Sequence, residues 1–227
     1  HRLKPYQGGG PVSPEMFRGR TEVIERLRRP KGGTVLFSGR MMGKSSILTK
    51  IFSDIDARRT HDASQPDEVG VFLSVSTEDL LGPLCDKLAV LLNDGEARRY
   101  REAEHANVPQ STHTPFVRRE KAQKRLANMR DLIVTLLRRY ARLTIPIDEE
   151  RSREESLAWL LRDLEFEQPE KLRVIFAGFQ TIHHQVLFKN GAFAHWFGLT
   201  ELGALDAADA ESLVVEPFAD FGFVFSS

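Results

Sequence analysis

The sequence predicts an α/β fold in which a parallel β-sheet is covered by helices on both faces. Apolar runs of strand length alternate with helical patterns about five times along the chain. The strand-like runs are mostly continuous rather than alternating, which is typical of strands buried on both faces. The chain has 227 residues, enough for one such domain with a sizeable core.

The predicted elements follow the chain in order. Strands are predicted at 34–37, 69–75, 143–147, 173–177 and 197–202. Helices are predicted at 22–29, from 44 to about 57, and at 80–92, 118–141, 152–166 and from 206 to about 215. Residues 1–20 are predicted to be an extended segment, since Pro and Gly are frequent there. The charged and then Pro/Ser/Thr-containing stretch near 95–117 is predicted to be a mobile insertion in a core that spans 21–217.

The loop after the first strand has the layout of a phosphate-binding P-loop, in which a strand, a glycine-containing loop, Gly-Lys-Ser and a helix follow one another. Gly43 lets the backbone turn tightly around a phosphate, Lys44 would reach the β- and γ-phosphates, and the Ser45 hydroxyl would bind Mg²⁺. The alternative is an ordinary strand–turn–helix. The candidate nucleotide-binding residues of this loop are Ser38, Gly39, Arg40, Met41, Met42, Gly43, Lys44, Ser45 and Ser46.

One position departs from the usual P-loop spacing. The pattern places a glycine four residues before the Gly-Lys pair, where this chain has Ser38, and glycine follows one residue later at Gly39. Tight wrapping of the loop around a phosphate is therefore the property that this sequence puts in question.

An acidic pair ends the third predicted strand. Asp148 would hold Mg²⁺, directly or through water, and Glu149 would orient or deprotonate the attacking water. The alternative is a strand that leaves the core into an acidic loop. Pro146 argues against a central strand, because proline removes a ladder N–H. Gln180, just after the fourth predicted strand, is a candidate contact to the γ-phosphate, whereas the neighbouring His183 and His184 would point apart on a helix.

The charge balance gives no electrostatic case for a dedicated nucleic-acid binder, because 32 basic residues match 32 acidic ones. The predicted helix at 118–141 has a basic face, for which a solvated surface is the default and a nucleic-acid patch the alternative. Cys85 is expected to be buried core filler, and no apolar run has the length of a membrane span. The basic residues of that face are Arg118, Arg119, Lys121, Lys124, Arg125 and Arg130.

Several ordered boxes resemble the AAA+-like ATPase module of bacterial STAND proteins, the signal-transduction ATPases related to origin-recognition and NB-ARC ATPases. Residues 11–20 resemble the family's Pro-x-x-Pro-x-x-Phe-x-Gly-Arg box, and the loop at 38–46 resembles its phosphate loop. The segments 147–149, 176–180, 202–206 and 216–217 resemble its Walker B strand, its fourth-strand end and its Leu-Gly-x-Leu-Asp … Glu-Pro ending.

The resemblance implies a P-loop NTPase three-layer sandwich with a five-stranded parallel sheet of order 5-1-4-3-2. It implies ATP or ADP and Mg²⁺ as cofactors, with Gly19 and Arg20 near the adenine. It also implies a cytoplasmic switch that forms nucleotide-dependent homo-oligomers and is joined to sensor and effector domains on the same polypeptide. The family's helical lid would begin at 218–227, and a chain that starts at His1 is expected to be a piece of a longer protein.

The leading hypothesis is an ATP-binding regulatory switch with slow Mg²⁺-dependent hydrolysis, in which Lys44 and Glu149 are the catalytic residues. A DNA-associated ATPase is the second hypothesis, with DNA on the basic helix. A degenerate P-loop scaffold that acts only through protein contacts is the third.

Overall fold

A computed structural model describes residues 10–29, 33–39, 41–61, 68–75, 79–149, 155–178 and 198–220. Within these ranges the chain forms one six-stranded sheet with helices on both of its faces. The strands are β1 (Thr34–Phe37), β2 (Glu68–Gly70), β3 (Leu73–Val75), β4 (Arg142–Glu149), β5 (Leu172–Gly178) and β6 (Gly198–Glu201).

All the strand pairs are parallel, as predicted. The path of the sheet is β2-β4-β5-β1-β6, and β3 pairs with β4 on the same side as β2. Read with β2 and β3 as one interrupted strand, this is the expected order 5-1-4-3-2. The α/β fold class and the position of the first strand between the fourth and the fifth predicted strands are therefore confirmed.

The interruption between β2 and β3 lies beside a proline of the neighbouring strand. Gly70 lies in register with Thr144, and Leu73 lies in register with Ile147. The two residues between β2 and β3 therefore pass β4 at positions 145 and 146, and the latter is Pro146.

The direction of the missing hydrogen bond explains why the sheet tolerates this proline. The Leu143 amide donates towards β5, to the carbonyl of Lys171 at 2.7 Å, whereas the carbonyl of Thr144 accepts from Val71 on the other side at 3.0 Å. Amides alternate in direction along a strand, so the nitrogen of Pro146 faces the side of β2 and β3. Proline has no hydrogen to donate there, and the pairing is interrupted at that point.

Seven α-helices accompany the described strands, and a short 3₁₀ helix (Pro14–Met16) precedes them. None of the described helices is both long enough and apolar enough to cross a bilayer. The helices are α1 (Thr21–Arg28), α2 (Lys44–His61), α3 (Leu81–Ala89), α4 (Asp94–Ala106), α5 (Pro115–Arg139), α6 (Glu155–Glu167) and α7 (Ala207–Asp220).

The sheet separates two hydrophobic cores. Val35 and Phe37 of β1 face a larger core with α3, α5 and α6, and Leu36 between them faces a smaller core with α1 and α2. This alternation places apolar residues on both faces of the same strand, as the continuous apolar runs predict. Cys85 is fully buried in the larger core, where burial raises the pKa of its thiol to about 12, which agrees with its predicted role as core filler.

Several boundaries differ from the expected ones, among them those of three helices. The loop predicted from residue 95 instead contains α4, whose N-terminus is capped by the Asn93 side chain. Helix α2 continues to His61, beyond its predicted end near Ala57. Helix α7 starts after Asp206, which caps it as predicted, but continues through Pro217 to Asp220. Pro217 is itself buried, and this burial favours the helix despite the loss of one hydrogen bond.

A buried ion-pair cluster holds α4 against α5. The guanidinium of Arg125 contacts the Glu104 carboxylate at 2.5 and 2.6 Å and both oxygens of Asp79 at 2.8 Å. Arg125 is 6% exposed and Glu104 is 3% exposed. The assignment of Arg125 to the solvated basic face was therefore wrong, because this residue faces two carboxylates inside the fold. The helical periodicity of Ala97, Tyr100 and Glu104, which are all buried, is the signal for α4 that the charged composition conceals.

The variant Arg125→Leu is expected to lower the free energy of unfolding by about 3–5 kcal/mol, because it leaves the Glu104 carboxylate buried without a counter-charge. The double variant Arg125→Leu/Glu104→Leu is expected to recover most of this loss. Urea denaturation measures both, with Lys124→Leu on the exposed face of α5 as a control that changes stability little. Equal destabilisation in the single and the double variant would contradict the role given to the pair.

Candidate phosphate-binding site

The candidate phosphate loop joins the end of β1 to the start of α2. Gly43, just before the helix, has φ +89°, a left-handed conformation that favours glycine. Met41 also has a positive φ, +59°, and its side chain is 92% exposed at the tip of the loop. Arg40, predicted to belong to the site, lies outside the described residues.

The Lys44 ammonium group folds back onto the end of β1. Its Nζ donates to the carbonyl of Gly39 at 2.8 Å, to the carbonyl of Ser38 at 3.2 Å and to the Ser38 hydroxyl at 3.1 Å. Ser38 is 5% exposed, and it occupies the position where the usual pattern has glycine. The serine at this position therefore gives the lysine an additional acceptor.

Lys44 and Asp148 lie close enough to influence each other electrostatically. Burial lowers the pKa of the Lys44 ammonium, and the negative charge of Asp148 opposes that shift. Asp148 is half-buried near the end of β4, in register with Ala177 of β5 and Ser74 of β3. The structure thus brings together a lysine and an aspartate that are about a hundred residues apart in sequence.

The carboxyl ends of four strands meet at this edge of the sheet. Phe37, the last residue of β1, pairs with Gly178, the last residue of β5, and Glu149 at the end of β4 pairs with Val75 at the end of β3. The backbone of Glu149 is therefore placed at this edge, whereas its side chain lies outside the described part of the chain. Gln180 also lies outside it, two residues after the end of β5.

The first turn of α2 presents donors and a hydroxyl at the same edge. The amides of Ser45 and Ser46 belong to the first helical turn, which has no intrahelical acceptors. The Ser46 hydroxyl accepts a hydrogen bond from the Val12 amide at 3.0 Å and so ties the N-terminal segment to α2. Within the described residues, the Ser45 hydroxyl makes no hydrogen bond.

The segment that carries Gly19 and Arg20 is fastened to α7. The Arg20 amide donates to Asp209 Oδ2 at 2.8 Å, and its guanidinium donates to the carbonyls of Gly203 at 2.7 Å and Ala204 at 3.2 Å. Gly19 has φ +73° and lies so close to Asp209 that an added Cβ would be 2.5 Å from Asp209 Cγ.

A second contact strengthens this attachment, since Arg18 Nε lies 2.6 Å from Glu216 Oε2 on α7. Arg20 also occupies the N-cap position before α1, with φ +61°, and Thr21 is the first helical residue.

Sequence reasoning did not find Asp209, because a single aspartate in the first turn of a helix is an ordinary feature. Its position one turn after the 202–206 segment, which resembles a family box, was the available signal.

The residues of this edge fit the phosphates of a nucleotide and a magnesium ion. The space beside Gly43 is open, because an added Cβ would have no neighbouring heavy atom within 4 Å. A helix N-terminus, a lysine and two oxygen-bearing side chains, Ser45 and Asp148, are the donors and ligands that such groups require. Among the described residues no cluster of three or more metal-binding His, Cys, Asp or Glu side chains occurs.

Comparison with solved structures places this architecture among known folds. A Walker-type ATPase of Pyrococcus abyssi superposes with a TM-score of 0.57 at 14% identity, over 98% of this chain and 64% of that one. The ORC1 protein of Aeropyrum pernix in complex with DNA gives a TM-score of 0.51 at 12% identity, over 90% of this chain and 50% of that one. The chain shares the α/β fold of this Walker-type ATPase.

A third protein with this ATPase fold is a signal-transduction ATPase with numerous domains (STAND) that has a tetratricopeptide repeat sensor, from Pyrococcus horikoshii. It gives a TM-score of 0.51 at 15% identity, over 88% of this chain and 25% of that one. The chain therefore spans between a quarter and two thirds of the length of these neighbours. No protein-family model matches the sequence, and no curated protein is significantly similar to it in sequence.

The close approach of Gly19 to Asp209 yields a stability prediction. Gly43→Ala is expected to lower the free energy of unfolding by about 1–2 kcal/mol, since only the left-handed backbone is penalised there. Gly19→Ala is expected to cost about 1–3 kcal/mol more, because the added methyl group displaces Asp209 from the Arg20 amide. Urea denaturation of the two variants measures the difference. Equal losses would show that the contact with α7 contributes little.

Proposed function

We propose that the chain is an ATP-binding regulatory switch module that hydrolyses ATP slowly in the presence of Mg²⁺. The observation that supports this proposal best is the position of Lys44. Its ammonium group sits between the loop carbonyls at the end of β1 and the charge of Asp148 at the end of β4. The AAA+-type ATPase fold is consistent with the same function.

Each residue of the loop has a task in this proposal. The backbone from Gly39 to Ser46 would bind the phosphates, and Lys44 would leave the loop carbonyls to contact the β- and γ-phosphates. Arg40 and Gln180 would add polar contacts, and the segment of Gly19 and Arg20 would lie near the base.

The magnesium ligands would be Ser45 and Asp148. When bound, Mg²⁺ would neutralise charge on the phosphate oxygens. Glu149 would accept a proton from the attacking water, or orient that water, as a general base. A serine in the place of a loop glycine, which holds Lys44 with one more hydrogen bond, favours slow rather than fast turnover.

The regulatory part of the proposal rests on the attachment of the N-terminal segment. This segment contacts α2 through Ser46, next to the proposed magnesium ligand, and contacts α7 through Asp209 and Glu216. A change in the conformation of the loop would therefore change the contacts that the N-terminal segment makes with α7. We propose that α7 leads towards further domains of a longer multidomain signalling or defence protein, as in the STAND neighbour with its repeat sensor.

Nucleotide binding is expected to stabilise the fold. With Mg²⁺ and ADP or ATP at about 100 times the dissociation constant, we expect the melting temperature to rise by about 5–10 °C. The variant Lys44→Ala is expected to lose this rise, and Lys121→Ala, which removes a lysine from α5, is expected to keep it. Differential scanning fluorimetry with ADP, ATP and GTP measures the effect and the base preference. A chain that no nucleotide stabilises would support the scaffold hypothesis instead.

Binding and hydrolysis should separate at the acidic pair. Glu149→Gln is expected to keep the nucleotide-induced rise in melting temperature while ATP turnover falls by about 10²–10⁴-fold, since the general base is lost. Asp148→Asn is expected to weaken the dependence of binding on Mg²⁺ concentration. Phosphate release assays and fluorimetry measure the two properties. Unchanged turnover in Glu149→Gln would remove this residue from the mechanism.

A further inference from the structure

A group of cations lies at the edge of the sheet opposite the phosphate loop, where the strands begin. Arg142 is the first residue of β4, and Arg173 is the second residue of β5. The ends of α1 and α2 reach the same edge, because helices in a parallel α/β fold run opposite to the strands. We call the following residues the amino-edge cluster: Arg28, Arg58, Arg142 and Arg173.

Two carboxylates form ion pairs with these cations. Glu68 lies 3.6 Å from Arg173 and 3.9 Å from Arg58, and it also accepts a hydrogen bond from the Thr144 hydroxyl at 2.6 Å. Asp54 forms ion pairs with Arg28 and, at 2.8 Å, with Lys50. Arg58 and Arg173 thus share one carboxylate, and Arg142 forms no ion pair within the described residues.

Arg173 is the most deeply buried member of the cluster. It is 5% exposed, its Nε has no hydrogen-bond partner among the described residues, and its contact to Glu68 is 3.6 Å long. The pKa of its guanidinium is lowered to about 10, mainly by burial; Glu68 opposes this shift, and the neighbouring charges of Arg142, Arg28 and Arg58 contribute to it. Within the described residues, the Nε of Arg28 is likewise buried without a partner. A buried donor without an acceptor requires an explanation, and an ordered water molecule or a bound anion would satisfy it.

Helix dipoles account for only part of this arrangement. Basic residues are favoured in the last turn of a helix, which explains Arg28 and Arg58. Arg142 and Arg173 are on strands, where no such preference acts. Arg142 is half-buried, and it uses one nitrogen, Nε, to donate to the Glu170 carbonyl at 3.0 Å. Its two other guanidinium nitrogens make no hydrogen bond within the described part of the chain.

We propose that the amino-edge cluster binds a phosphate group. Arginine forks match phosphate oxygens in a bidentate geometry, and a phosphate would add negative charge beside arginines that share one carboxylate. Arg58 is largely exposed and Arg142 is half-buried, so these two would contact the group, and the buried charge of Arg173 would attract it. The phosphate could come from two sources, a free phosphate or the phosphodiester backbone of DNA, and the experiment distinguishes them.

The basic face of α5 is a less suitable place for the same ligand. Arg130 pairs with Glu167, Lys124 pairs with Glu120, and Arg125 is buried between two carboxylates. Arg119 and Lys121 have no such partner within the described residues. They provide a matched control, because their removal changes the net charge of the chain by the same amount.

The first experiment measures binding of inorganic phosphate. It is carried out on the Lys44→Ala background, since phosphate would also bind to the phosphate loop. We expect sodium phosphate to raise the melting temperature by about 2–4 °C over sodium chloride of equal ionic strength. The added changes Arg58→Gln/Arg142→Gln are expected to abolish this rise, and Arg119→Gln/Lys121→Gln to leave it intact. Circular dichroism confirms that each variant is folded, and the single variant Arg58→Gln replaces the pair if the pair does not fold.

The second experiment measures binding of double-stranded DNA by fluorescence anisotropy at several salt concentrations. If the backbone is the ligand, Arg58→Gln/Arg142→Gln lowers the slope of log K against log salt by about 2, because each lost contact removes about 0.9. The α5 control variant then leaves the slope unchanged.

The outcomes assign or overturn the site. A phosphate effect that depends on Arg58 and Arg142, without DNA binding, identifies a free phosphate as the ligand. A DNA affinity that depends on the same two residues identifies the backbone. The proposal fails if phosphate and DNA have no effect, or if the α5 control variant reduces binding as much as the amino-edge variant.

Discussion

The parallel pairing of β1 with β5 on one side and β6 on the other is the constraint on which the site depends. This strand has only four residues, and its last three are buried. Because it is held on both sides, Ser38 and Gly39 leave the sheet at a fixed place, and their carbonyls fix the position of the Lys44 ammonium. The same pairing sets the distance to Asp148, since β5 is the only strand between β1 and β4 in the described sheet.

Much of this arrangement follows from local sequence. Apolar runs bounded by Gly, Pro and acidic residues predict the strands, and in a parallel sheet all their carboxyl ends fall on one edge. The meeting of Lys44 with Asp148 therefore needs only the strand order in addition. The strand order itself came from the resemblance to a family, because the apolar patterns alone do not say which strands are neighbours.

The features that sequence did not predict depend on contacts between distant residues. Helix α4 is charged along most of its length. Its stability comes from the burial of Tyr100 and from the pairing of Glu104 with Arg125 of α5. The attachment of Arg20 to Asp209 joins residues 189 positions apart, and neither residue type signals it. Charge composition is also misleading, because a net charge of zero hides a local group of arginines at the edge where the strands begin.

Pro146 has a further consequence for the behaviour of the protein in concentrated solution. It interrupts the pairing of β4 with its outer neighbour, so that this neighbour is divided into β2 and β3, each of three residues. These two short strands form one edge of the described sheet. A long, continuous edge strand would offer its unpaired backbone groups to a strand of another polypeptide. Pro146 of β4 thus keeps the edge strands β2 and β3 short, and short edge strands limit self-association through strand addition.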